Sequence, residues 1–389
     1  MGLFEKIFGP REPAPAKQPA TVFKLLSSYR PVFRSWGGEL YEDELVRASI
    51  DAIARNASKL EITIQGSAKP VLRTALKRRP NNFQTWSQFL YRLTTILNMQ
   101  NTALIVPVIN DKGETVGVYP VYYRRIEVVA YKGEPWVRIE FEEGKVGAVE
   151  LKRLGILTRY QYRSDLFGES NRALEPTAKL IDMQNQAIEQ GVKTAASYQF
   201  MATLKNFSTD EDLANERSRF TEQNLGAANS SGVLLWPNTY ENVQQIKTTP
   251  YVVDPEQMKL IRTNVFDYFG VNEDIVQNKA YGDAWAAFYE GCIEPLAVQL
   301  SEVLTNMLFT PDEQSRGALI MATSNRLQYM TNKDKADTTA ILADRGLVTV
   351  NELRSIWNLP PLEGDAGDVI PVRGEYYDLA AENGGNNGE

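Results

Sequence analysis

Histidine is absent from the 389-residue chain, and cysteine occurs once, at Cys292. Without an imidazole, Ser-His-Asp and Cys-His catalysis lose the proton carrier they use near neutral pH. One thiol and no imidazole cannot assemble a zinc site of the His/Cys kind. Nor can a single cysteine close a disulfide within the chain, which accords with a reducing cytoplasm. The sequence also lacks a G-x-x-x-x-G-K-[ST] loop, which excludes P-loop motors and kinases of that type. No G-x-G-x-x-G follows an apolar run, so a dinucleotide-binding fold is not expected. The longest apolar stretch, residues 103–109, is far shorter than the roughly 20 residues that span a bilayer. No charged-then-apolar leader precedes it, so neither membrane insertion nor export is expected. These absences leave carboxylate chemistry on a hard metal, or no chemistry at all. We assign no catalytic residue, no cofactor and no metal ligand.

What is present describes an ordinary folded protein, with 43% hydrophobic and 23% charged residues. The length accommodates two or three domains of about 150 residues. The net charge of −7 is unevenly spread. Residues 1–34 carry six basic side chains against two acidic ones, Glu5 and Glu12. From Pro361 onward seven acids stand against Arg373. The last seven residues, Asn-Gly-Gly-Asn-Asn-Gly-Glu, have no apolar side chain to bury and read as a disordered, solvated tail. This balance argues against tight sequence-independent binding to DNA, which needs clustered Lys and Arg to release counterions.

The prolines of residues 10–19 mark an extended linker within a basic N-terminal arm, residues 1–35. Apolar residues recur at helical spacing over 42–57 (Leu45, Ile50, Ile53) and 82–97 (Phe83, Trp86, Phe89, Leu90, Leu93). Between them Leu60-Glu-Ile-Thr-Ile64 alternates as a strand does. Residues 102–109, 117–121, 126–131 and 136–141 read as short strands of one antiparallel sheet, with turns at Asp111-Lys-Gly113 and Lys132-Gly133. The second half is helical. Residues 174–199 predict an amphipathic rod of about 40 Å. A polar stretch follows, with a charged helix near 210–225 and a strand at 232–236. Asp254-Pro-Glu-Gln257 opens a helix, through a cap, a first-turn proline and a capping-box Gln257, and Gly270 stops it. After a polar loop at 271–283, a second long helix runs over 285–309, kinked by Pro295 and ended by Pro311. A short helix over 333–344 closes at Gly346, and Thr349-Val-Asn-Glu352 is a capping box for another.

Four stretches, taken in order, resemble the portal proteins of tailed bacteriophages, of siphovirus type. Asn81-Asn82-Phe83 with Thr85, Phe89 and Leu97 is similar to the family's early helix. Asn101-Thr-Ala103, Asp111-Lys-Gly113 and Val118-Tyr-Pro120 resemble its first sheet. Phe269-Gly-Val271, followed by a polar loop and a proline-containing helix, is similar to its central signature. Gly346, Thr349, Asn351-Glu352, Arg354, Leu359-Pro-Pro361 and Gly364-Asp365 resemble its C-terminal helical segment. Two departures stand out. Gln100-Asn101-Thr102-Ala103 replaces the common Gly-Asn-Ala, and Asn272 stands where members commonly have proline.

The resemblance implies an α+β, portal-like subunit and not an enzyme. It implies a ring, typically of twelve copies, at one vertex of the capsid of a virion assembled in the host cytoplasm. Double-stranded DNA passes through such a ring without sequence readout. The terminase large subunit docks on it first and the head–tail adaptor later, the major capsid or scaffold protein surrounds it, and no membrane takes part. Carried onto this chain, residues 36–172 correspond to an α+β wing, 173–200 to a first stem helix and 201–251 to a small α/β clip. Residues 252–270 correspond to a second stem helix, 271–283 to a tunnel loop and 284–330 to the rest of the wing, with the kinked helix and a strand. A short α-helical crown, 331–378, and the tail, 379–389, follow.

By the same resemblance Asn272, Glu273, Asp274, Gln277, Asn278 and Lys279 line the DNA channel, where amides and carboxylates keep contact with phosphate weak. Lys279 reads as a partner for Asp283 ahead of a phosphate contact. Asn206, Trp236 and Tyr240 fall in the clip; the two aromatics read equally as anchors between subunits or as a local strand core. Trp285, Phe288 and Tyr289 read as core or interface packing, because base-stacking platforms come with interleaved basic residues. Two alternatives stay open. Glu142, Glu143 and Lys145 superficially match the end of a metal-nuclease motif, without an upstream Pro-Asp partner. The other is a minor head or adaptor protein of the same virion.

Overall fold

The computed structural model describes residues 24–29, 41, 43–142, 144–195, 199–204, 209–222, 240–246, 254–323, 332–357 and 359–372. It is a mixed helix and sheet protein, as the sequence predicts. The chain divides into two compact units, one of Met1–Glu175 with Thr263–Glu389, the other of Pro176–Arg262.

In the first unit, helices begin where a side chain can take up free amides. Asp43 Oδ1 accepts from the N–H groups of Leu45 and Val46 at 2.9 and 3.1 Å and opens α1 (Glu44–Ala57). Its buried stripe is Val46, Ile50, Ile53 and Ala57. Helix α2 (Pro70–Arg78) was not legible in the sequence: it buries only Leu72 and Leu76, too few to show a period. Lys69, at φ 47, turns the chain into it. Helix α3 (Trp86–Gln100) starts later than the predicted 82. Asn81 Oδ1 first accepts from Phe83 and Gln84 N–H and holds a turn, and the Thr85–Gln88 capping box then opens the helix.

Strands β1 (Lys24–Tyr29), β2 (Glu61–Gln65), β3 (Thr102–Ile109) and β4 (Thr115–Val121) precede β5 (Arg125–Tyr131), β6 (Glu134–Glu140), β7 (Val146–Glu150) and β8 (Gly155–Thr158). The single sheet expected here is in fact two. One has the order β1-β5-β6-β7 and the other β4-β3-β8, all pairs antiparallel. Alternating Val and Ile side chains from both, including Leu104, Val106, Val128 and Ile139, meet in one buried cluster. That packing of two faces, which strand periodicity cannot show, separates the sheets. Tyr123 bridges the passage from β4 to β5, wholly buried, its hydroxyl donating to the Thr102 carbonyl at 2.9 Å. Strand β1 lies inside the stretch expected to be an arm, residues 1–35, and pairs with β5.

In the second unit, α4 (Glu175–Ala195) has 21 residues and about 31 Å of length. It is shorter than the predicted rod because Gln199 already belongs to the next strand. That strand, β9 (Gln199–Leu204), leads through the charged helix α5 (Asp210–Phe220) to β10 (Tyr240–Ile246). β9 and β10 pair antiparallel, with Tyr240 opposite Leu204. The strand expected at 232–236 lies outside the described residues. Helix α6 (Pro255–Phe269) opens at Asp254, whose Oδ1 accepts from Glu256 N–H at 3.0 Å. It ends at Gly270, φ 74, a conformation that glycine adopts without a Cβ clash.

A short helix α7 (Glu273–Val276) and then α8 (Asp283–Phe288) follow. The long helix predicted over 285–309 is broken, but not by a simple kink at Pro295. A π turn, Tyr289–Ile293, joins α8 to α9 (Glu294–Leu308). Proline has no N–H and presses on the carbonyl four residues back, here that of Gly291. The wider π turn moves that carbonyl out of the way, so the irregularity falls one turn ahead of the proline. Helix α10 (Pro311–Ser315) leads to β11 (Leu319–Thr323), which pairs with β2 and closes the early part of the chain onto the late part. Helices α11 (Asn332–Asp344) and α12 (Val350–Ile356) complete the described fold; Gly346 ends the first and Thr349–Glu352 caps the second, as predicted.

Candidate functional site

Six of the nine singled-out residues lie in one short segment. It is not the open loop predicted. Asn272 Oδ1 accepts from Ile275 N–H at 2.9 Å and starts the single turn α7. Ile275 and Val271 are buried beneath it, which leaves Asn272, Glu273, Asp274, Gln277, Asn278 and Lys279 all exposed. The Asp274 carbonyl accepts from Lys279 and Ala280 N–H, at 2.7 and 3.2 Å, and closes the turn. Sequence periodicity misses a helix of four residues with one buried side chain.

The side chains hold one another. Gln277 Nε2 donates to Glu273 Oε1 at 2.7 Å, and Lys279 Nζ donates to Gln277 Oε1 at 2.6 Å. Lys279 therefore takes an amide partner where the sequence suggested Asp283. Asn278 has φ 59, a left-handed position that asparagine tolerates. Its Oδ1 accepts from Arg55 Nη1 at 3.2 Å.

Arg55 is part of a chain of contacts on α1 and α3 that the sequence did not flag. Its Nε lies 2.8 Å from Asp51 Oδ2, and Tyr91 donates to Asp51 Oδ1 at 2.8 Å. Burial, with the Asp51 carboxylate, pushes the Tyr91 hydroxyl up to about 12. Lys59 sits 5.9 Å from the centre of the Trp285 ring; burial and the neighbouring Arg55 charge lower its ammonium. Trp285 is half-buried against Phe288, which is buried, so this aromatic set packs as expected.

The C-terminal end of α6 is anchored beside this segment's start. Tyr268 donates to Asn171 Oδ1 at 2.6 Å, and its carbonyl accepts from the Tyr160 hydroxyl. Asn171, buried, also accepts from Asn101 Nδ2 at 2.6 Å and donates to the carbonyls of Met99 and Asn98 at 2.8 and 3.2 Å. Burial pushes the Tyr268 hydroxyl up to about 12; Tyr160 adds to this, and the Asn101 amide and Arg159 oppose it. A cleft of about 320 Å³ opens here, lined by Asn98, Arg159, Tyr268, Cys292 and Gln299 among others. Burial raises the Cys292 thiol.

Of the other three residues, Asn206 and Trp236 lie outside the described residues, and Tyr240 begins β10. Glu142 and Lys145 flank the hairpin turn between β6 and β7, where Phe141 N–H donates to the Lys145 carbonyl at 2.9 Å. Among the described residues no group of three or more His, Cys, Asp or Glu could hold a metal ion, and no helix is long and apolar enough to cross a membrane.

The fold defined by these elements is that of a virion component. A chain in the virion of a native gene transfer agent particle superposes with a TM-score of 0.55 at 17% identity, over 82% of this chain and 91% of that one. A chain in the neck of the native particle, computed with C12 symmetry, gives 0.53 at 16%, over 85% and 96%. A portal protein of the HK97 phage family from Corynebacterium diphtheriae matches at 0.49 and 12%, over 73% and 93%. No curated protein matches. The family model described as phage portal protein matches residues 44–358, and the chain belongs to that family.

Proposed function

We propose that the chain is the portal subunit of a tailed phage or a phage-like particle, built into a closed ring of twelve at one capsid vertex. The observation that carries this reading is the family match across 44–358, which takes in the helix–hairpin–helix order of α4, β9–β10 and α6. The twelvefold symmetry of the neck that holds a similarly folded chain supports the copy number. In a ring each subunit presents two unlike faces to its neighbours.

On this reading residues 36–172 and 284–330 form the wing, α4 and α6 the stem, 201–251 the clip and 331–378 the crown. The clip receives the terminase large subunit and then the head–tail adaptor; capsid or scaffold protein contacts the outside. Double-stranded DNA passes through the centre during packaging and ejection. The exposed set on 272–279 has two carboxylates, three amides and one ammonium already held by Gln277. Such a lining gives phosphate little to bind, and a channel needs weak contact for movement. The protein acts by shape and not by catalysis.

Electron microscopy of the purified protein tests this. Rings with a central hole wide enough for a duplex are expected, and single copies under every condition would overturn the reading.

A further inference from the structure

The last described segment, residues 332–372, is a module of about 40 residues whose apolar side chains face outward. The return segment 359–372 is fastened to the helices by polar contacts. Asn351 Oδ1 accepts from Leu362 N–H at 2.7 Å, Arg354 Nε donates to the Pro360 carbonyl at 2.8 Å, and Val350 N–H donates to the Val369 carbonyl at 2.9 Å. Arg345 and Val372 form a bridge. Yet Ile356 is the only large apolar residue buried in it. Ile341 is 56% exposed, Leu347 64%, Ile370 52% and Val372 50%, with Leu359 and Trp357 also open.

A chain of about 40 residues rarely supports a core alone and is completed by a partner. Exposed apolar groups in this number mark an interaction surface. Charge indicates which partner. Lys333 and Arg345, on and just after α11, are exposed with no ion-pair partner among the described residues. Glu363, Asp365 and Asp368, on the return segment, are likewise exposed and unpaired among them. One part of the module carries free cations and the other free carboxylates, so two copies set head to tail satisfy both while covering the apolar residues. A head-to-tail contact is the kind that generates a ring.

We infer that residues 332–372 are a ring-closing element, completed by the same module of the neighbouring copy and incomplete in a single chain. This rests on the ring reading above and assigns the surface that carries it.

The test uses the full chain. Ile341 and Leu347 are exposed, so I341E/L347E is expected to leave the melting temperature of the single chain unchanged. The concentration at which half the chains enter rings, read by mass photometry, is expected to rise at least tenfold. R345E alone is expected to shift it in the same direction, and R345E/D365R/D368R to bring it back. L347C is expected to react with maleimide in the dilute single chain and to be protected in the ring, against wild type as the Cys292 background. Rings that assemble undiminished in I341E/L347E overturn this assignment alone. So does an L347C thiol already protected before assembly, which places another segment of the same chain over the face, or one still reactive in the ring. A wild-type chain that never forms rings overturns the ring reading and this assignment with it.

Discussion

Arg55 Nη1 and Asn278 Oδ1 meet at 3.2 Å across 223 residues of sequence. The guanidinium is itself held by Asp51, and Asp51 by Tyr91. The exposed turn proposed to face DNA is thus braced from α1, and its shape depends on a helix remote in sequence.

Removing the brace separates two effects. R55A and N278G each lose one exposed hydrogen bond, about 0.5–1 kcal/mol. N278A also forces a β-carbon residue into the left-handed region, a further ~1 kcal/mol or more. Hydrogen exchange at Lys279 and Ala280 is expected to quicken modestly in the first two variants and most in N278A. Equal exchange in all three would show that the turn holds itself.

Asn171 is the hub that anchors Tyr268. N171L keeps the volume and strands Tyr268, Asn101 Nδ2 and the Met99 carbonyl without their partner. Unsatisfied buried polar groups cost about 1–3 kcal/mol each, so a loss of roughly 3 kcal/mol in urea unfolding is expected. A loss under about 1 kcal/mol would mean that water replaces the side chain.

The two phenols give an alkaline signature. Tyr91 and Tyr268 keep their protons in the folded chain up to about 12, whereas an unperturbed tyrosine releases its proton near 10.0. A raised folded value stabilises below the unfolded one, so this contribution is complete below about pH 10 and fades as pH climbs towards 12. Urea midpoints of wild type and Y91F/Y268F are expected to converge over that window. A constant gap from pH 8 to 12 would contradict the assignment.

Sequence alone determined the local events: the caps at Asp43, Thr85, Asp254 and Thr349, the stop at Gly270, and the stripes of α1 and α3. Each depends on a few neighbouring side chains, and the order of these signals was enough to suggest the family. Tertiary structure decided what depends on distant partners. It split one run of strands into two sheets, because pairing is set by which faces share a core. It drew β1 out of the presumed arm, turned a proline kink into a π turn, and gave Lys279 to Gln277. It also brought Arg55 to Asn278 and Asn171 to Tyr268. Hydrogen bonds between residues this far apart leave no period or spacing in the sequence, since neither partner constrains the residues beside it.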